Sequence, residues 1–183
     1  MKVVYVMIAD GFEEIEALSV VDILRRASID VSTVSISDSK IVNGTHNISV
    51  ITDILITDAD LNKAEMVVLP GGMPGADNLY NNEMLQDGLS FRVKNKKWVA
   101  AICAAPMILG RKGYLKGFEA VCFPGFESDL IGATIKNKNV VISGSFITSK
   151  GPGTALDFAL AIVSVLNDEE SANKIKSSMQ ISN

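Results

Sequence analysis

Histidine is almost missing from this 183-residue chain: His46 is the only one, and cysteine is represented by Cys103 and Cys122 alone. A structural zinc site wants four Cys/His ligands, and these three, scattered without CxxC or HxxxH spacing, do not supply it. A Ser-His-Asp triad would have to use His46. Two cysteines make no disulfide framework in a chain long enough to build its own core. Basic clustering is also absent. No run of Lys or Arg exceeds Lys96-Lys97, and 17 basic against 21 acidic residues give a formal net charge of −4. That distribution offers little electrostatic grip on nucleic acid. The longest uncharged apolar run, residues 98–110, is too short to span a bilayer. The first apolar stretch stops at Asp10 and meets Glu13, Glu14 and Glu16 where a signal peptide needs a small-residue cleavage site. The expectation is a cytoplasmic protein with no membrane or nucleic-acid partner and no metal or cofactor.

What is present is ordinary globular material, 48% hydrophobic and 21% charged. The apolar pattern alternates short β-branched runs with longer helical stretches. Strands are expected at residues 2–9, 30–36, 66–69, 98–103, 120–123, 140–143 and 146–149. Two further short segments within 40–53 flank a hairpin turn at Asn43-Gly44. Helices are expected at 14–27, 83–95, 104–112, 154–166 and 169–179. Strands 66–69 and 98–103 lack the apolar/polar alternation of a sheet with one wet face. This predicts an α/β fold, with a mostly parallel sheet covered by helices on both faces, in one domain over residues 1–183.

In such sheets ligands collect where strands end and loops lead to helices. Three of those loops carry unusual residues. Cys103 lies between a strand and a helix, in Ala101-Ile102-Cys103-Ala104-Ala105-Pro106, with so little loop that the chain must turn sharply. A nucleophile elbow needs small residues two away on each side, and Ala101 and Ala105 meet that demand. A sulfur at a helix start would be favoured as thiolate by unpaired N–H groups. The alternative is a small buried hydrophobe. Glu16 shares a helical stripe with Val20, Ile23 and Ala27 and so points at the core. A carboxylate there would raise its pKa and keep its proton, able to donate to sulfur or act as general acid or base. The alternative has it bend to solvent or cap the helix. Glu13 and Glu14 read as plain helix-start charges. Gly71 and Gly72, in Pro70-Gly71-Gly72-Met73-Pro74-Gly75, would let backbone N–H groups approach an oxyanion or simply make a tight turn. Thr154 and Asp157 fit a capping box. Cys122 reads as core and His46 as an exposed loop residue.

Four segments taken together, Asp10-Gly11-Phe12-Glu13-Glu14-Ile15-Glu16, Leu69-Pro70-Gly71-Gly72, Ala100-Ala101-Ile102-Cys103-Ala104-Ala105-Pro106 and Gly151-Pro152-Gly153-Thr154, resemble the ThiJ/PfpI superfamily. The likeness is nearest to the branch of YajL and the parkinsonism-associated deglycase, and covers nearly the whole chain in order. It implies a flavodoxin-like α/β sandwich, a homodimer, Cys103 as the reactive elbow cysteine and Glu16 as the protonated acid beside it. Gly72 and Ala104 would supply the backbone N–H donors, and Arg25-Arg26 resembles a pair near the dimer contact. Phe123 stands where some members have histidine, so Glu16 must handle proton transfer. Ala104 after the cysteine, where the peptidase-like branch has histidine, argues against peptide hydrolysis. Two functions are implied. One is a cofactor-independent glyoxalase or deglycase acting on 2-oxoaldehydes or their early adducts through a Cys103 thiolate. The other is a redox-responsive stress protein or chaperone with an oxidisable Cys103.

Overall fold

The computed structural model describes residues 3–181; Lys2, at the edge of the first expected strand, lies outside them. The first half of the chain runs β1 (Val4–Ile8), α1 (Glu14–Arg26), β2 (Val31–Ser35), β3 (Ile41–Asn43), β4 (Ser49–Ile51), β5 (Ile54–Leu55), β6 (Met66–Leu69), α2 (Gly75–Asn81) and α3 (Glu83–Lys94). It continues with β7 (Trp98–Ile102), α4 (Pro106–Arg111), β8 (Glu119–Ala120), β9 (Thr134–Ile135), β10 (Val140–Ser143), β11 (Phe146–Ser149), α5 (Ala155–Leu166) and α6 (Glu169–Ser178).

Seven strands form one sheet in the order β10-β11-β7-β6-β1-β2-β5, parallel throughout except for the β10–β11 edge hairpin. Successive residues of the central strands enter opposite cores. Tyr5, Met7, Val67, Leu69, Val99 and Ala101 pack beneath Leu79 of α2, Leu85 and Leu89 of α3, and Met107 to Leu109 of α4. Val4, Val6, Ile8, Met66, Val68, Ala100 and Ile102 pack beneath α1, α5 and α6. Both faces being dry, the strands read as continuous apolar runs, which is why their pattern announced a covered sheet. The chain winds from β1 to β2 on one side and returns to β6 on the other. The order therefore reverses beside β1, the kind of position where open α/β sheets leave a crevice. No helix among the described residues is long and apolar enough to cross a membrane.

Several expectations are corrected. The segment 120–123 contracts to β8, which pairs with β9 instead of the main sheet, because Phe123 N–H turns aside to Cys103 O (2.8 Å) and Pro124 has no N–H to give. The β3–β4 hairpin closes through residues 44–48, not through a two-residue Asn43-Gly44 turn. Asn47, at φ 62°, takes the left-handed position. Helix α4 starts at Pro106, two residues later than expected, since Ala104 and Ala105 complete the turn. Thr154 and Asp157 do not form a capping box. The Thr154 hydroxyl instead donates to Gly151 O (2.9 Å) and meets Ser149 Oγ (2.7 Å), and Asp157 accepts from Asn139.

One buried cation fixes the starts of β6 and β7, two of the strands that carry the site. Arg92 of α3 is fully buried and donates five hydrogen bonds, to the carbonyls of Leu61, Ala64, Glu65 and, twice, Trp98 (2.7–3.2 Å). Burial pushes its pKa down, to about 10, against the opposing pull of Glu65, so it stays charged at neutral pH. Arg92→Ala would strand those carbonyls and open a void, and is expected to lower unfolding free energy by about 3 kcal/mol or more. Urea denaturation checks this, and a loss under about 1 kcal/mol would contradict the clamp.

Candidate active site

Three adjacent strands, β1, β6 and β7, end on the same side of the sheet and deliver the residues singled out above. After β1 the chain turns at Gly11, and Glu13 caps α1 by accepting the Glu16 N–H (2.8 Å). That cap sets Glu16 in the first turn, with its side chain directed under the sheet ends and no solvent exposure. The solvent and capping alternatives for Glu16 therefore fall; the capping role belongs to Glu13. Glu13 and Glu14 do stand at the helix start as expected, and both are also buried. Arg25 and Arg26, at the other end of α1, pair within the chain with Asp53 (3.0 Å) and Asp22 (2.7 Å).

After β6 comes Gly71, whose N–H donates to Glu16 Oε2 (2.8 Å). A Cβ on Gly71 would stand 2.6 Å from Cys103 Cβ, 2.8 Å from Glu16 Oε2 and 3.0 Å from Ile102 O. The bare glycine is what allows carboxyl and thiol to face each other. Gly72 follows at φ +86°, with a Cβ excluded by Glu13 N and Gly11 O. The paired glycines after a buried strand pointed to this loop and the resemblance to Gly72; Gly72 faces the sulfur, and the residue that touches the acid is Gly71.

After β7, Cys103 sits at φ 65°, left-handed backbone in a residue other than glycine. Such geometry costs about 1–3 kcal/mol and persists only where the surroundings enforce it. Here Cys103 N–H donates to Ser149 O (3.0 Å) and Cys103 O accepts from Phe123 N–H (2.8 Å). The backbone N–H groups of Gly72 and Ala104 face the sulfur and favour its ionised form. Phe123 lies beside the thiol's surroundings, its ring 3.0 Å from where a Gly151 Cβ would be, itself 4.0 Å from Cys103 Sγ. Cys122 is buried in the opposite core from Cys103, as expected of a structural residue.

Glu16 and Cys103 both crowd the bare face of Gly71 and act on each other's charge, and both are hard to ionise. Burial pushes Glu16 up to about 7, helped by the charge of Glu13 and opposed by the Gly71 N–H and the thiol. Burial also pushes Cys103 up to about 12, reinforced by the charge of Glu16 and opposed by the Gly72 and Ala104 N–H groups. The expected acid thiol at a helix start is thus corrected: α4 begins three residues further on, and burial beside a carboxylate outweighs the two N–H donors. Glu16 Oε1 is buried and finds no N–H or O–H donor, an arrangement that suits a carboxylic acid better than a carboxylate. Proton placement decides reactivity. While Glu16 keeps its proton, the charge that opposes thiolate formation is gone and the two N–H donors remain.

Residues 2–165 match the DJ-1/PfpI family. Protein DJ-1 homolog B of Arabidopsis thaliana is 38% identical over 161 residues, 87% of this chain and 37% of that protein. The chain spans less than half the length of the Arabidopsis relatives it matches. Glutathione-independent glyoxalase DJR-1.2 of Caenorhabditis elegans is 32% identical over 165 residues, covering 89% of this chain and 87% of the relative. Oxidized DJ-1 of Toxoplasma gondii superposes with a TM-score of 0.95 at 34% identity, over 100% of both chains. The sheet order, the elbow cysteine with its neighbouring acid, and these matches agree that the chain belongs to the DJ-1/PfpI family.

Proposed function

We propose that this protein is a cofactor-independent enzyme that converts 2-oxoaldehydes such as methylglyoxal, or their early adducts, into 2-hydroxy acids. The observation that carries this reading is the approach of a fully buried acid and an elbow thiol to the same bare face of Gly71. The glyoxalase name of the Caenorhabditis relative supports it.

The Cys103 thiolate adds to the aldehyde carbon, and Glu16 gives its proton to the oxygen as the hemithioacetal forms. The N–H groups of Gly72 and Ala104 steady the developing oxyanion. The Glu16 carboxylate then takes the hydrogen from the thiol-bearing carbon and returns a proton to the neighbouring carbonyl carbon, while the hydroxyl proton passes to the second oxygen. The product is a thioester of the 2-hydroxy acid. Water, deprotonated by Glu16, cleaves the carbon–sulfur bond and restores thiolate and carboxylic acid. Incubation of the purified protein with methylglyoxal should yield lactate; formation no faster than the spontaneous rate ends this reading.

A second reading, a redox-responsive stress protein or chaperone, draws on the same sulfur. Its support is the N–H cradle around Sγ and the oxidised state named for the Toxoplasma neighbour. Under mild peroxide, intact-mass and peptide mass spectrometry should find oxygen added at Cys103 before Cys122. The reverse order would remove the sensor role. Exposed Ile15 and Leu18 on α1, with Ile48 and Ile51 of the hairpin, form the surface through which we propose a homodimer. Sedimentation velocity should give twice the chain mass, and Ile51→Asp should shift it to monomer.

A further inference from the structure

The proposed chemistry at Cys103 leaves a second group of polar side chains unexplained. Glu13 and Glu14 are 6% and 3% exposed, yet they stand side by side at the mouth of α1 with the ring of His46 over them. Each carboxylate is oriented by backbone N–H groups through one of its oxygens. Glu13 Oε2 accepts from Glu16 N–H (2.8 Å), and Glu14 Oε1 accepts from His46 N–H (2.8 Å) and Ile48 N–H (3.4 Å). The remaining oxygens turn to the same ring nitrogen: Glu14 Oε2 lies 2.8 Å and Glu13 Oε1 3.8 Å from His46 Nδ1. One ligand atom from each of the three side chains lies within 4.8 Å of the other two. Gly44 lies against the Glu14 carboxylate, where any side chain would displace it, so the hairpin is shaped to admit that group.

We propose that His46 Nδ1, Glu14 Oε2 and Glu13 Oε1 form a binding site for a divalent transition-metal ion of the zinc type, completed by water. Zinc takes imidazole nitrogen and carboxylate oxygen at about 2.0–2.2 Å, which puts neighbouring tetrahedral ligands about 3.3 Å apart. The observed 2.8 and 3.8 Å bracket that spacing. The ring nitrogen disfavours magnesium and calcium, which prefer oxygen donors throughout. Backbone donors already hold both carboxylates in place, the role that outer hydrogen bonds play around metal ligands. The exposed side of His46 leaves room for water on the ion. The metal replaces the proton shared by His46 and Glu14 and ties the β3–β4 hairpin to the start of α1. Counting cysteine and histidine alone hides such a site, because two of its three ligands are carboxylates.

The test uses the full chain, prepared with chelator and then titrated calorimetrically with Zn²⁺, beside Cys103→Ala, His46→Ala and Glu14→Gln. Zinc is expected to bind wild type and Cys103→Ala alike with one-to-one stoichiometry and to raise their melting temperatures. His46→Ala and Glu14→Gln should each weaken binding by at least about tenfold. Glu14→Gln keeps an oxygen for the backbone donors, and circular dichroism checks that both variants fold. The Co²⁺ form should show d–d bands without thiolate charge transfer. Absence of binding to wild type, or binding lost in Cys103→Ala and kept in His46→Ala, overturns the proposal. Neither result bears on turnover of methylglyoxal, so the two readings fail separately.

Discussion

Replacing Cys103 by alanine is expected to reduce lactate formation from methylglyoxal to the spontaneous rate while leaving the fold intact. The separation follows from how the elbow is built. Its left-handed turn is pinned by main-chain hydrogen bonds, Cys103 N–H to Ser149 O and Phe123 N–H to Cys103 O, which survive loss of the sulfur. Alanine pays a similar conformational cost at φ 65°, so thermal melting should change little. Chemistry has no substitute. Covalent catalysis requires a nucleophile, and Cys122, the one other thiol, belongs to the opposite core. The variant has a second signature. The thiol holds the Glu16 pKa down, so its removal should move that carboxyl further up, readable as a later titration of the side-chain carbon by NMR. Turnover that persists in Cys103→Ala would falsify the covalent route. A carboxyl titration that stays put would separate Glu16 from the sulfur.

Much of this arrangement was legible because its signals are local. Glu16 follows a helical stripe of apolar residues, and a charged group on such a stripe must be buried or bent away; it is buried. Cys103 follows a buried strand with almost no loop before a helix, and the short connection compels the sharp turn. The parallel sheet announced itself because strands buried on both faces lose their alternation. What escaped depends on segments far apart in the chain. Helix α2 begins with glycine and runs GADNLYN, a polar stretch whose packing onto α3 and α4 decides its state over its propensity. The burial of Glu13 and Glu14 comes from a hairpin thirty residues away folding Gly44 and His46 onto them. The thiol's resistance to ionisation is a pair property. It requires knowing that Gly71 brings Glu16 and Cys103 face to face, which neither neighbourhood states alone. Thr154 kept the right residue type for a cap, but Ser149 and the Gly151 turn claimed its hydroxyl.

Glu16→Gln should do what no other single change does: make the thiol more acidic and the enzyme far slower. Glutamine keeps the shape and can still accept the Gly71 N–H, while its amide can donate toward the sulfur. The negative charge that pushes Cys103 up is gone, so thiolate absorbance should titrate at lower pH than in wild type. Turnover should nevertheless fall by about 10²–10⁴, because no group remains to move the proton from one carbon to the next. Stability separates the two proteins with the sign fixed by the carboxyl. Its pKa is raised from 4.5 to about 7 on folding, so the folded state holds the proton more tightly than the unfolded chain. The stability so gained is complete below pH 4.5 and drains away as pH rises through 7, where an ionised carboxylate must stay buried. Glutamine carries no such penalty. Relative to wild type, the variant should therefore gain stability between pH 4.5 and pH 8 in denaturant titrations at each pH. A parallel pH dependence in the two proteins would mean that Glu16 is already ionised in its pocket. In that case the proton on which the proposed cycle depends would have no home.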